Sequence, residues 1–115
     1  MSADKNYCEW KGASGRAYGY WFYEIPHEFQ TVDGNYILCK LVNNQWVPIY
    51  FGQGNLGERV GESHHKWDCA MKKGATHVLV HTNQNEAARL AEEKDLLAIY
   101  TQAYAPTGCN EREGG

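Results

Sequence analysis

The sequence is short of several things. No run of ~18 consecutive apolar residues occurs, so no segment reads as a membrane-spanning helix. The opening Met-Ser-Ala-Asp-Lys-Asn lacks the basic-then-apolar pattern of a secretory leader, and a cytoplasmic protein is expected. Positive charge is not in excess: eleven Lys and Arg stand against fourteen Asp and Glu, a formal net charge of −3. A uniform basic coat for nucleic acid is thereby excluded. The four cysteines, at 8, 39, 69 and 109, form no C-x-x-C pair. Neither a zinc site nor a redox pair is signalled by that spacing, and free thiols in a reducing compartment are expected. Internal repeats, low-complexity runs and interdomain linkers are also missing.

Aromatic residues are plentiful. Four Trp, eight Tyr and three Phe in 115 residues suffice to fill the core of one small domain. Tyr7–Lys11 and Ala17–Glu24 read as two strands of a hairpin around the turn signal Gly12-Ala-Ser-Gly15. Asn35–Val42 is a largely apolar run expected to be a buried strand. Asn43-Asn44-Gln45 reads as a hairpin loop, and Trp46–Phe51 as the returning strand, with Pro48 marking an edge or an irregular point. Gly52-Gln53-Gly54 is expected to break that strand. Asn55 with Glu58 forms a capping-box pattern opening a short helix. His64–Lys73 reads as a second short helix closed by Gly74. His77–His81 is a further core strand. Asn83 with Glu86 is another capping box, with a helix from Gln84 to about Tyr100. The expected fold is α+β: a small antiparallel or mixed sheet flanked by helices, with residues 1–33 as a hairpin extension, 34–110 as the core and 111–115 as a polar tail. Residues 1–6 read as loose.

One acidic residue falls where packing would place an apolar one. At ~100° per residue, Leu90, Leu96, Leu97 and Tyr100 all lie within about 60° of Glu93 on the last helix. Glu92 and Lys94 fall on the flanks and Asp95 on the far side. Glu86 shares the Glu93 face but has a capping role. A carboxylate on a packing face must be compensated, by a core Arg or Lys, by a metal ion, or by a catalytic role.

Short motifs precede that helix in a definite order. Gly34-Asn35-Tyr36 opens the central strand and Tyr50-Phe51-Gly52 closes the next. Asn55-Leu-Gly-Glu-Arg59, His64, Glu93-Lys-Asp-Leu-Leu97 and Pro106-Thr-Gly-Cys-Asn110 follow. Taken singly, each has an ordinary explanation: core aromatics, a solvated arginine, a surface histidine, a turn asparagine. Taken in order, over residues 34–110, they resemble the GIY-YIG nuclease family.

The resemblance implies hydrolysis of DNA phosphodiesters with one divalent cation, Mg²⁺ or Mn²⁺. It makes Tyr36 the general base and Arg59 the group that neutralises the scissile phosphate. It makes Glu93 the metal ligand, Tyr50 an orienting group for water or phosphate, His64 a proton relay or substrate contact, and Asn110 a brace. An ordinary phenol has a pKa near ~10, so cationic neighbours must favour the Tyr36 phenolate. The chain departs from the family pattern at Asn35, usually aliphatic, mildly at Phe51, and at Gln53, often Lys. The span 59–77 holds four basic residues against two acidic ones, enough for a local phosphate-binding face. DNA affinity is expected to be weak and of low sequence specificity, with a homodimer or a partner protein supplying the rest. Two other readings stand beside the nuclease. One is a catalytically silent nucleic-acid or protein interaction module on the same fold. The other is a small α+β binding domain in which Glu93 pairs with Arg59 or Arg89.

Overall fold

A computed structural model describes residues 6–61 and 64–112. It is an α+β domain with one five-stranded sheet and three helices. The strands are β1 (Tyr7–Lys11), β2 (Ala17–Glu24), β3 (Asp33–Val42), β4 (Gln45–Asn55) and β5 (His77–Thr82). Their order across the sheet is β1-β2-β5-β3-β4, and every neighbouring pair is antiparallel. The sheet is therefore antiparallel throughout rather than mixed. The helices are α1 (Leu56–Arg59), α2 (Trp67–Lys72) and α3 (Glu86–Ile99), and a 3₁₀ turn covers Thr101–Ala103.

Cross-strand partners share a face, so the register assigns each side chain to one side of the sheet. Tyr7, Trp21, Val80, Tyr36 and Gly52 form one row. On that face α1 and α2 bury Leu56 and Ala70 against Leu38, Val78 and Tyr36. The opposite face carries Ile37, Leu79 and Phe51, which pack against Leu96 and Leu97 of α3. Trp10 and Tyr20 of the first hairpin belong to the same cluster, so residues 7–24 share the main core.

Several boundaries differ from the sequence expectation. Gly52-Gln53-Gly54 does not end β4; the strand runs on to Asn55 because Tyr36, Asn35 and Gly34 pair with these three residues. Pro48 sits beside a register shift at Leu38/Cys39, where a residue without an N–H costs no ladder bond. The β3–β4 turn takes positive φ at Asn43 and Asn44 alone, the two-residue form that matches strand twist. α2 begins at Trp67, three residues later than expected. The cap of α3 is Asn85, whose side chain accepts from Ala88 N–H, while Asn83 is used one step earlier, accepting from Asn85 N–H. Of the loose start, residues 1–5 lie outside the described residues, and the Asn6 carbonyl accepts from Phe22 N–H. Of the polar tail, residues 113–115 lie outside them.

The largest departure is the buried stripe of α3. Its centre lies near Arg89, Glu92 and Leu96, and Leu90 is 46% exposed. Glu92, expected on the flank, is 3% exposed. Its carboxylate accepts from the Tyr20 hydroxyl and bonds His81 Nε2 at 2.9 Å. Tyr20 and His81 stack with ring centroids 4.6 Å apart. Arg89 is equally buried; it donates to Gln53 Oε1 at 3.0 Å and to the Asn83 carbonyl at 2.8 Å. Asn35 donates to the Arg89 carbonyl at 3.1 Å. Asn35 and Gln53, two of the three departures from the resembled pattern, therefore serve one polar layer beneath α3.

The thiol expectation also needs correction. Cys69 and Cys109 are joined as a disulfide, with Cα atoms 6.1 Å apart. Spacing along the chain concealed the pair, because α2 and the loop after the 3₁₀ turn approach only in the folded state. Cys8 and Cys39 are free, and burial pushes both thiols up, away from reactivity.

Glu92→Ala strands two polar partners under α3. Urea unfolding is expected to show a loss of roughly 3 kcal/mol, with Tyr20→Phe costing about 1 kcal/mol.

Candidate functional site

The edge strand β4 is bare where the two faces of the sheet meet. Gly52 lies opposite Tyr36, and a Cβ there would overlap the Tyr36 ring and hydroxyl. Gly54, at φ +136°, would place a Cβ against the Arg59 guanidinium stem. Without side chains at these points, the Tyr36 ring crosses its neighbour strand and Arg59 lies flat on it. Arg59 is delivered by the single turn of α1, which starts where Asn55 Oδ1 accepts from Glu58 N–H at 3.2 Å.

Tyr36 is 1% exposed, and its hydroxyl oxygen lies 2.5 Å from His64 Nε2. The other ring nitrogen fixes the direction of that bond. His64 Nδ1 accepts from Lys66 N–H at 2.9 Å, so a neutral ring carries its proton on Nε2. His64 therefore donates to Tyr36. A relay in which a neutral His64 takes the phenol proton does not match this tautomer. The ring is held neutral: burial, then the charges of His65, Arg59 and Lys66, push its pKa down to about 4.

Tyr50 stands beside the pair, its ring 6.1 Å from that of Tyr36 and 5.3 Å from that of His64. Burial raises the Tyr36 phenol well above its ordinary range; Tyr50 and Glu93 add to that, and Arg59 opposes it. Tyr50 is raised by burial and by Glu93, with Arg59 again opposing. The phenolate expected from the family resemblance is thus disfavoured by the protein's own burial. Only Arg59 and the His64 donor work the other way.

Glu93 comes from α3, on the far face, and shares an open pocket of about 520 Å³ with Tyr50, Lys66, Lys94 and Asn110. Among the described residues it makes no hydrogen bond or ion pair. Burial pushes its carboxyl up to about 7, and Arg59 only partly offsets this. Arg89, the alternative core partner, is committed to Gln53 and Asn83. Both ends of the Asn110 amide are engaged by the backbone of Phe51. Its Oδ1 accepts from Phe51 N–H at 2.9 Å and its Nδ2 donates to the Phe51 carbonyl at 3.0 Å. That is the action of a brace, applied directly after Tyr50.

Tyr50, His64, Glu93 and Asn110 are thus gathered at the β4 edge, with Arg59 acting on the first three. Tyr36, Arg59 and His64 do not line the open pocket; the rings of Tyr36 and His64 lie beside Tyr50, which does. Of the four basic residues counted in the span 59–77, Lys66 lines the pocket; sequence reasoning missed Lys94 there, and Gly54 as the seat of Arg59. A second glycine so soon after Gly52, at position 54, was the available signal. Among the described residues no three His, Cys, Asp or Glu side chains converge as a ready-made metal cage. A single half-buried carboxylate still fits a magnesium ion that keeps most of its waters.

The site makes two opposed contributions to pH-dependent stability. Glu93, raised in the fold, costs stability as pH climbs from about 4.5 to about 7. His64, lowered in the fold, costs stability as pH falls from about 6.5 to about 4. The two slopes oppose each other in the shared window. Glu93→Gln is expected to gain about 1 kcal/mol at pH 8, after allowance for solvent screening, and nothing at pH 4. Urea titrations of both proteins across that range test this; equal gains at both pH values would dismiss the strained carboxylate.

In comparisons with known proteins, the chain matches no family model, no curated protein and no solved structure.

Proposed function

We propose that the protein is a GIY-YIG-type endonuclease that hydrolyses DNA phosphodiester bonds with Mg²⁺ or Mn²⁺. On this reading the hairpin of β1 and β2 is an addition to the nuclease core, and the protein works in the cytoplasm. The observation that carries the reading is the meeting of Tyr36, Tyr50, Arg59, His64 and Glu93 at one bare strand edge. They come from five separate places in the chain, and ordinary core packing gives no reason for an unpaired Glu93 to face them.

Each side chain has a distinct task. Arg59 is a fixed positive charge whose planar guanidinium suits two phosphate oxygens. Tyr50 orients the attacking water. Tyr36 takes the water proton as a phenolate, and the His64 Nε2–H bond steadies that anion. Glu93 would hold the cation, which supplies charge neutralisation at the phosphate when bound. Loss of negative charge at Glu93 also removes one of the influences that raise Tyr36 and Tyr50. Asn110 keeps the Tyr50–Phe51 backbone in place.

Affinity for DNA is expected to be low. Lys94 and Lys66 line the pocket, but Lys66 is already paired with Glu111 at 2.7 Å. Few phosphates can be neutralised, so binding falls away with salt and gains little from sequence. A homodimer or a partner protein would add the missing contacts.

Supercoiled plasmid with Mg²⁺ or Mn²⁺ provides the test. Wild type should nick or linearise it. Tyr36→Phe, Arg59→Ala and Glu93→Ala should each lower the rate by about 10² or more while remaining folded. Equal cutting by all four proteins would point to a contaminant and sink the mechanism. No cutting by any of them, with DNA still retained in a filter-binding assay, would favour the silent interaction module.

A further inference from the structure

We propose that the Cys69–Cys109 disulfide is a redox clasp that keeps α2 and the His64 turn seated against the Tyr36 site. The consequence for DNA cleavage rests on the nuclease reading; the clasp itself does not.

The weakness of α2 is the starting point. It has six residues, no side-chain cap, and one buried residue, Ala70. A helix this short does not hold itself together. Its two ends of polar attachment are exposed: Lys66 reaches Glu111, and Lys73 donates to the Pro106 carbonyl at 2.8 Å. Exposed bonds of this kind contribute little. The loop on the other side of the disulfide is anchored far better. Cys109 N–H donates to the Ile49 carbonyl, Asn110 N–H to Ala103, and the Asn110 side chain clamps Phe51. The covalent link therefore ties a weakly held element to a firmly held one. The residue delivered by the weak element is His64, whose Nδ1 is fixed by Lys66 N–H just before α2.

Access makes the bond a switch rather than a sealed staple. Cys109 is buried and Cys69 is partly exposed. A dithiol reductant is expected to attack the Cys69 sulfur, with Cys109 leaving as a thiolate that takes up one proton. The second thiol of the reductant then displaces Cys69, which leaves as a thiol. Two electrons and two protons pass to the protein, and the reductant ends as a cyclic disulfide. The closed segment is long, with its cysteines 40 residues apart, so opening it returns much freedom to the unfolded chain.

The test compares air-oxidised wild type, dithiothreitol-reduced wild type, and a Cys69→Ala/Cys109→Ala variant. Thiol titration after denaturation should count two thiols in the oxidised protein and four in the reduced one. Reduction should lower the melting temperature by about 10 °C. It should also speed amide exchange across residues 64–73 by about tenfold or more, while β3 and β5 stay protected. The double variant should match the reduced protein and ignore reductant; if it does not fold, the two forms of wild type still decide. Plasmid nicking should fall by about tenfold on reduction, in step with exchange. Unchanged exchange and melting on reduction would overturn the clasp, whatever the nuclease assay shows. So would four thiols in the oxidised protein. Loss of protection on reduction, with no cutting by either form, would keep the clasp and remove the nuclease reading.

Discussion

A side chain cannot pass through a neighbouring strand unless that strand yields the space. At Gly52 and Gly54 the edge strand β4 yields it, and the rest of the site depends on this. Tyr36 begins in the middle of the sheet on one face, while Glu93 begins on a helix packed against the other. Only around a bare edge can groups from both faces act on one small volume. A methyl group at Gly52 would displace the Tyr36 ring, and one at Gly54 would lift Arg59 and demand a rarely adopted backbone. The glycines are thus as much part of the chemistry as the polar residues they admit.

Electrostatics at this edge is unbalanced. Burial raises Tyr36, Tyr50 and Glu93 and lowers His64, so each prefers its neutral form. Arg59 opposes burial at the three acids and reinforces it at His64. Phenols and a carboxyl that burial pushes toward their neutral forms are short of positive charge, and a divalent cation or a basic partner group would favour their anions. By contrast, the polar layer beneath α3 is nearly self-sufficient: Glu92 bonds both Tyr20 and His81, and Arg89 is spread over Gln53 and Asn83. The protein therefore holds two carboxylates one residue apart on one helix with opposite characters, one satisfied and one without a partner among the described residues.

That contrast shows where the sequence was legible. Strand and helix existence followed from local patterns, because Asn caps, turn residues and apolar runs act at short range. The hairpin residues Asn43 and Asn44 and the irregularity at Pro48 were readable for the same reason. The wheel of α3 singled out Glu93 but centred the buried stripe wrongly. It could not know that Glu92 would meet Tyr20, from a hairpin more than seventy residues earlier, and that Leu90 would face solvent. Gly52-Gln53-Gly54 looked like a strand end because glycine weakens strands in isolation; pairing with Gly34–Tyr36 outweighed that. The disulfide, likewise, is a product of tertiary proximity that no spacing rule anticipates.

The two outer strands of the sheet end up unequal. Asn110 offers Phe51 both an acceptor and a donor, and Cys109 N–H takes the Ile49 carbonyl, so the C-terminal loop imitates a sixth strand along part of β4. The ladder is stoppered there, while among the described residues Tyr7–Lys11 of β1 has β2 alone as a neighbour. An unpaired edge is where a sheet can be extended, and among the described residues that edge lies on the hairpin side, away from the gathered polar side chains.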